Sequence, residues 1–248
     1  SVVGVGIAYT SVYFTNLFFI VIWWLIMPLA SFILAYFFGK LIEWLERSFP
    51  IIGNKKTQPY FVILIIGAGF LEAFSAGMNN AANAFGPLIG AEVITVGQGM
   101  LLGGIFVGLG ALLLGGRAIE TNGKKITHLS LLEGITISST SAILVIVASL
   151  FGIPIPMTQI TTTGIVGIGA SKHGFSIFKQ NVIKKIALVW LISPLLSLGL
   201  SYGLVMLFMK RDLYTLLSMI SVLIATTSTI ALLRLNRKEK SETGEGVE

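Results

Sequence analysis

The stretch LFFIVIWWLIMPLASFILAYFFGKLI, residues 17–42, carries one charge, at Lys40. A helix that crosses the hydrocarbon core of a bilayer needs roughly 17–25 predominantly apolar residues. The stretch is therefore long enough to span a membrane. Four further runs have similar character: residues 97–115, 131–151, 182–209 and 213–233. The sequence predicts an all-α, multi-pass integral membrane protein, a multi-span helical bundle in the cell membrane.

The composition of the whole chain agrees with this class. Of 248 residues, 54% are hydrophobic and 11% are charged, with a mean hydropathy of +0.89, whereas soluble domains average about 25% charged residues. The net charge of +6 comes from cations between apolar runs and in the C-terminal tail, which is typical of loops that flank a membrane. No basic stripe with interleaved aromatics is present, so nucleic acid is excluded as a partner. The absence of cysteine excludes disulfides and thiolate chemistry.

Two apolar stretches contain residues that interrupt helices. Residues 61–90 change from apolar to Ser, Gly, Asn and Pro, and residues 152–170 begin with Pro154 and Pro156. Proline and clustered glycine disfavour a continuous helix. Broken segments in spanning positions are typical of discontinuous or re-entrant helices that build a binding site at membrane depth. We therefore expect both stretches to be broken.

An internal comparison indicates a duplication. VVGVG (2–6) matches IVGIG (165–169), and WLIMPLASFILAY (24–36) matches WLISPLLSLGLSY (190–202), with offsets of 163 and 166 residues. Trp, Pro and Tyr in register are harder to obtain by chance than Leu or Ile. The polar segments that precede the second copy have no counterpart before the first, because the chain begins at Ser1. We therefore expect this chain to be part of a longer protein.

Asparagines concentrate in GMNNAANAFGPL, residues 77–88. Asn79, Asn80 and Asn83 each offer two N–H donors and one carbonyl acceptor, and α-helical spacing places Asn79 and Asn83 on one face. Gly77 allows close backbone approach. The cluster predicts a neutral, donor-rich site for an oxyanion or an alkali cation. Interhelical hydrogen bonding, which membrane helices also use, is the alternative interpretation.

A second polar cluster follows the two prolines. Thr158, Gln159 and Thr161–Thr163 supply hydroxyls and an amide. A helix that begins here would direct its free N–H groups at a bound anion. Alternatively, the threonine hydroxyls bond back to their own helix.

Glu72 lies in the apolar run LIIGAGFLEAFSAG. A carboxylate at membrane depth costs at least ~2.5–3.5 kcal/mol, so it usually faces a cavity or a partner. It could bind Na⁺, carry a proton, or lie at an interface without function. We take Glu72, Ser75, Thr162 and Thr163 as candidate ligands of a coupling ion. No other cofactor or metal is predicted, since His128 and His173 have no partner pattern. No nucleophile and base pair is present, so the chain is not predicted to be an enzyme.

A charged connection, GRAIETNGKKITHLS, occupies residues 116–130. Arg117, Glu120, Lys124 and Lys125 lie close together, and Glu120 and Lys124 can pair at i, i+4 if the segment is helical. Considered alone, the segment is typical of a solvated basic loop.

In these three segments the chain resembles the inorganic phosphate transporter family, membrane carriers coupled to Na⁺ or H⁺. The family reads approximately GANDVANAxGPL, GRRVIETVGKKITEL and PVSTTHTLVGAIVGVG, where this chain has residues 77–88, 116–129 and 154–169. The match covers residues 62–210 in order and spacing. The resemblance implies two inverted repeats, alternating access and a homodimer. It implies substrate-binding roles for Gly77, Asn79, Asn80, Asn83, Thr158 and Gln159.

The chain departs from the family pattern at two places. Asn80 stands where the family has Asp, and the family's Ser-Thr-Thr-His run is Pro156, Met157, Thr158 and Gln159 here. Hydrogen phosphate carries an O–H that a carboxylate can accept, whereas sulfate near neutral pH has none and is repelled by a carboxylate. The amide at Asn80 therefore favours sulfate slightly over phosphate as the predicted substrate. If the family's Asp mainly serves Na⁺, its loss instead changes the coupling.

The resulting organisation has five parts. Residues 1–45 end the first transporter repeat, 46–60 connect, 61–210 form the second repeat, 211–233 form a terminal transmembrane helix, and 234–248 form a polar tail. The predicted function is secondary active transport of sulfate or phosphate. The alternatives are an anion channel and a membrane paralogue that does not transport.

Overall fold

All regular secondary structure in the part of the protein that a computed structural model describes is helical. That part comprises residues 2–49, 56–120, 126–215, 217–222, 224 and 228, with only the backbone described at 117–120. The helices are α1 (Val2–Ala8), α2 (Phe14–Ser48), α3 (Gln58–Ala76), α4 (Ala82–Gly90), α5 (Val96–Glu120), α6 (Leu131–Leu150), α7 (Met157–His173) and α8 (Asn181–Phe208). A π-helical turn, Gly77–Ala81, joins α3 to α4, and a 3₁₀ turn, Gly174–Lys179, follows α7.

Five of these helical segments are long and apolar enough to cross a membrane. They are Phe14–Ser48, Gln58–Gly90, Val96–Gly116, Leu131–Leu150 and Asn181–Phe208. Most large apolar side chains on them are exposed to their surroundings, for example Leu112 at 84% and Phe70 at 74%. Such an apolar exterior suits lipid as the solvent. The prediction of an all-α multi-pass membrane protein is confirmed.

The prediction of a broken helix over residues 61–90 is wrong. The helical backbone continues from Gln58 to Gly90 through the π turn, and Pro87 lies inside α4. A π turn inserts one extra residue per turn without ending the helix, and such turns are frequent at functional sites. The Gly and Asn residues therefore widen one helical turn and leave the span intact.

The predicted break at Pro154 and Pro156 is confirmed. α6 ends at Leu150, the backbone is not helical from Ile153 to Pro156, and α7 begins at Met157. The prediction that clustered glycines break the same stretch is wrong, since Gly164, Gly167 and Gly169 lie inside α7. Their role is close packing.

One compact unit, residues 14–186, contains α2 to α7. In it α7 packs against α2 and α6, α3 packs against α6, and α4 packs against α5. Ten of the 17 residues of α7 are buried, so this short helix forms the centre of the unit. Its buried isoleucines join two apolar clusters: Ile165 and Ile168 pack with Ala35 and Ile137, and Ile160 packs with Met27 and Val145.

Glycine allows α7 to approach α2 closely. A Cβ at Gly167 would lie 2.5 Å from the Phe32 carbonyl oxygen and 3.1 Å from the Tyr36 nitrogen. The second unit, residues 1–13 and 187–248, contains a similar contact, in which a Cβ at Gly4 would meet the Leu198 carbonyl oxygen and the Tyr202 nitrogen. The internal sequence comparison pairs these same positions. This equivalence is what a duplication requires; the repeats and their inversion stay a prediction.

We expect the substitution Gly167→Ala to destabilise the protein by about 1–3 kcal/mol, the usual cost of overpacking a filled interface. The new methyl group would meet backbone atoms of α2, which cannot move without shifting that helix. Gly69→Ala on α3 is the matched control, because nothing lies within 4 Å of its Cβ position. Thermal unfolding in detergent would measure both variants. Equal unfolding temperatures for the two would contradict the close approach.

Several predicted features lie wholly or partly outside the described residues. These are residues 50–55 of the connection at 46–60, Lys124 and Lys125, the side chains of Arg117 and Glu120, and the polar tail 234–248. Of the predicted terminal helix at 211–233, residues 213–215 and 217–222 are helical. The predicted boundaries of the two repeats stay a prediction.

Candidate functional site

The segment that leads into α7 is held by side chains from two other elements. The indole N–H of Trp24 on α2 donates to the Pro154 carbonyl at 2.9 Å. The amide of Asn79 in the π turn donates to the Ile155 carbonyl at 2.7 Å and accepts the Ile155 N–H at 3.3 Å. Non-helical backbone at membrane depth needs such partners, because no lipid group can replace them. Pro154, Pro156 and Asn79 therefore contribute to the same feature, the hydrogen-bonded non-helical segment before α7.

Asn79 is buried, with 4% of its surface exposed. Its second N–H donates to the Asn80 Oδ1 at 3.2 Å. Both donors and the acceptor of Asn79 are thus engaged within the protein. Asn83 is exposed, so the two amides lie in different environments, and the prediction that they share a face stays a prediction.

The other predicted substrate ligands lie in three environments. Asn80, Asn83 and Thr158 are exposed, and Gln159 is half-buried. Gly77 lines an apolar groove of about 470 Å³ between α3, α4 and α5, with no polar side chain in its lining. The structure therefore brings Asn79 and Asn80 together beside the start of α7. It places Gly77 on a surface that cannot hydrogen-bond an oxyanion through side chains.

Glu72 connects three helices. Its Oε2 accepts a hydrogen bond from Ser138 on α6 at 2.7 Å, and its Oε1 accepts one from Thr161 on α7 at 2.9 Å. Ser75, which is fully buried, donates to the Glu72 main-chain carbonyl at 2.7 Å. Sequence reasoning singled out Glu72 but missed Ser138, because nothing in the sequence of α6 marks one serine among several.

The remaining threonines of the cluster bond within α7. Thr162 donates to the Thr158 carbonyl at 2.7 Å, and Thr163 donates to the Gln159 carbonyl at 2.8 Å. The alternative interpretation, that threonine hydroxyls bond back to their own helix, therefore holds for these two residues. Thr161 differs, since its hydroxyl points across to Glu72. In the described part of the chain, no three His, Asp or Glu side chains converge as a metal site.

An ion pair between a buried carboxylate and a partly exposed lysine lies near the opposite end of α7. Lys172 Nζ is 2.7 Å from Glu133 Oε2 and also donates to the His128 carbonyl at 2.9 Å. Glu133 caps the start of α6, because its carboxylate accepts the Ser130 N–H and the Ser130 hydroxyl accepts the Glu133 N–H. The sequence SLLE at 130–133 has the spacing of a capping box, so this cap could have been predicted from the sequence.

These observations define a class of protein: a multi-span helical membrane protein with a buried amide, a carboxylate and hydroxyls collected around one short, proline-initiated helix. The family follows from comparison. The profile of the phosphate transporter family matches residues 1–201, and the chain belongs to that family.

Proteins similar to this chain are named either as a sulfate permease or as phosphate permeases. The sulfate permease CysP of Bacillus subtilis is 49% identical over 240 residues, which cover 97% of this chain and 67% of that protein. Proteins named as phosphate permeases in Pyrococcus horikoshii and Chlamydia pneumoniae are 32% and 34% identical. They match 53% and 64% of this chain, which spans 34% and 38% of their length. No solved structure matches this chain.

Proposed function

We propose that this chain belongs to a secondary active transporter that moves a tetrahedral oxyanion across the membrane by alternating access, coupled to Na⁺ or H⁺. Membership of the phosphate transporter family supports the oxyanion as cargo. The proposed substrate is sulfate ahead of phosphate. A relative that matches 97% of this chain is named a sulfate permease.

The observation that carries the substrate proposal is the exposed amide of Asn80. Its Oδ1 accepts a hydrogen bond from the buried Asn79, which orients the amide so that its N–H₂ group is the part left to donate. Two donors and no negative charge suit an anion that has no proton to give. Asn83 and Thr158, also exposed, are the other proposed donors. Asn79 has its amide engaged elsewhere, and we assign it a positioning role.

The first test is uptake of labelled sulfate into proteoliposomes that hold the complete gene product. Phosphate serves as competitor, and Na⁺ and pH are varied. Saturable, cation-dependent accumulation that resists excess phosphate supports the proposal. Phosphate uptake that sulfate does not affect identifies phosphate as the substrate. Flux without saturation or accumulation identifies a channel, and no flux at all identifies a paralogue that does not transport.

We expect Asn80→Asp to shift the preference from sulfate towards phosphate by roughly tenfold or more, which corresponds to about 1.4 kcal/mol. The carboxylate repels sulfate but accepts the O–H of hydrogen phosphate. A site that offers a substrate hydrogen bond discriminates strongly against an analogue that lacks it. Competition between the two anions in proteoliposomes measures the ratio.

Asn83→Asp is the control for this prediction, because it adds the same charge three residues further along the chain. It should weaken uptake of both anions without reversing their order. If Asn80→Asp leaves the anion preference in place while the dependence on Na⁺ or pH moves, Asn80 acts on coupling and the selectivity argument fails. The homodimer that the family resemblance implies stays a separate prediction.

A further inference from the structure

Glu72 is a carboxylate in the middle of a membrane-spanning segment, Gln58–Gly90. In the described part of the chain, no Lys, Arg or His forms an ion pair with it, and its partners are the hydroxyls of Ser138 and Thr161. Two hydroxyl donors offset part of the ~2.5–3.5 kcal/mol that a charge costs at this depth. A glutamine could make comparable hydrogen bonds without that cost. The carboxylate is therefore not explained by packing.

The neighbouring charges are too far along the helices to serve as its partner. On α6 the nearest described charged residue is Glu133, five residues from Ser138 and so about 8 Å along the axis. On α7 it is Lys172, eleven residues from Thr161 and about 16 Å away. Those two residues pair with each other. Glu72 therefore has no cationic partner on α6 or α7, and its charge is available to a bound cation.

We propose that Glu72, Ser138 and Thr161 bind the coupling cation, a proton or Na⁺. This proposal rests on the proposed function of the chain as a transporter. A proton would neutralise the carboxylate directly. Na⁺ would use the carboxylate and hydroxyl oxygens together, since hard cations take oxygen ligands. Both hydroxyls donate to Glu72, so their lone pairs are available to a cation placed among the three groups.

The location of the three residues gives coupling a structural route. Thr161 is on the first turns of α7, three residues after Thr158, and the segment before α7 is held by Asn79. Glu72 and Asn79 lie on the same continuous helical segment. A cation that neutralises Glu72 changes its bond to Thr161, and hence the way the start of α7 is held against α3. Of the proposed anion donors, Thr158 lies on that same start, and Asn80 is hydrogen-bonded to Asn79, which holds the segment before it.

The test compares two assays on Glu72→Gln in proteoliposomes that hold the complete gene product. Glutamine resembles the neutralised carboxyl and cannot release a cation. We expect accumulation of labelled sulfate driven by a Na⁺ or pH gradient to fall roughly tenfold or more, within the usual range of coupling energies. Exchange of internal for external sulfate, which needs no net cation movement, should continue and become insensitive to Na⁺ and pH. Phosphate replaces sulfate if phosphate is the substrate.

Glu43→Gln is the matched control, because this carboxylate is partly exposed and pairs with Lys40 and Arg47 along its own helix. It should leave both assays unchanged. Gradient-driven accumulation by Glu72→Gln at the wild-type level would overturn the inference, and so would loss of exchange in a folded Glu72→Gln protein. A wild-type protein without exchange or accumulation would instead overturn the proposed function.

Thr161→Val and Ser138→Ala identify the cation and keep the inference testable if Glu72→Gln does not fold. For a proton, loss of one hydroxyl donor alters the hydrogen bonds of the carboxylate that carries it, so the pH of half-maximal uptake shifts. For Na⁺, loss of one oxygen ligand raises the Na⁺ concentration needed for half-maximal uptake roughly fivefold or more, again within the range of coupling energies. Either shift supports the site. Wild-type pH and Na⁺ dependence in both variants would contradict it.

Discussion

Replacement of Lys172 by Met is expected to lower the free energy of unfolding by about 2 kcal/mol, because Glu133 is buried whereas the Lys172 side chain is 32% exposed. This value lies between the contribution of exposed ion pairs, about 0–1 kcal/mol, and the cost of breaking a buried one, about 3–5 kcal/mol. Lys172 lies 2.7 Å from Glu133, and the Glu133 side chain is 4% exposed. Methionine fills a similar volume but leaves this carboxylate with no cation. The substitution also removes the donor to the His128 carbonyl. Thermal and denaturant unfolding in detergent would measure the loss.

Two further variants separate the ion pair from general effects of the substitution. Lys40→Met removes an exposed partner that lies 3.6 Å from Glu43, and exposed pairs contribute only about 0–1 kcal/mol. The double variant Glu133→Gln, Lys172→Met removes both charges together, and we expect it to recover most of the stability that Lys172→Met loses. A double variant as unstable as the single one would show that packing, and not the unpaired carboxylate, accounts for the loss.

The membrane spans could be predicted from the sequence because the signal that defines them is local. A run of apolar residues of sufficient length specifies a spanning helix, and residues 17–42, 97–115, 131–151 and 182–209 all correspond to helices in the structure. The break at Pro154 and Pro156 was predictable for the same reason, since proline removes an N–H donor and clashes with the preceding turn.

The π turn at Gly77–Ala81 could not be predicted in this way. Glycine and asparagine weaken a helix without specifying whether it ends, kinks or widens. Which outcome occurs depends on the tertiary contacts of Asn79 with Ile155, 76 residues along the chain. The same limit applies to Glu72. Its position in an apolar run marked it as a candidate, but its partners Ser138 and Thr161 are defined only by the packing of α3, α6 and α7.

Replacement of Asn79 by Ala is expected to reduce transport of sulfate and phosphate alike and to lower the unfolding temperature in detergent. Ile155 is 3% exposed, and the Asn79 side chain accepts its N–H. A buried N–H without a partner costs about 1–3 kcal/mol. The Ile155 carbonyl still accepts a hydrogen bond from the Met157 N–H. The group left without a partner is therefore the backbone N–H of Ile155. The start of α7 then loses its attachment to the π turn.

Asn79→Asp distinguishes a positioning role from a ligand role. The carboxylate can accept the Ile155 N–H, but its other oxygen would face the Ile155 carbonyl, where Asn79 now donates. A positioning residue therefore loses stability and maximal uptake in both variants, with little change in the anion concentration for half-maximal uptake. Asn83→Ala is the control, because Asn83 is exposed, and it should weaken anion affinity at unchanged stability. If Asn79→Ala instead unfolds like the wild type and loses affinity alone, Asn79 is a substrate ligand, and its bonds to Ile155 must open when the anion binds.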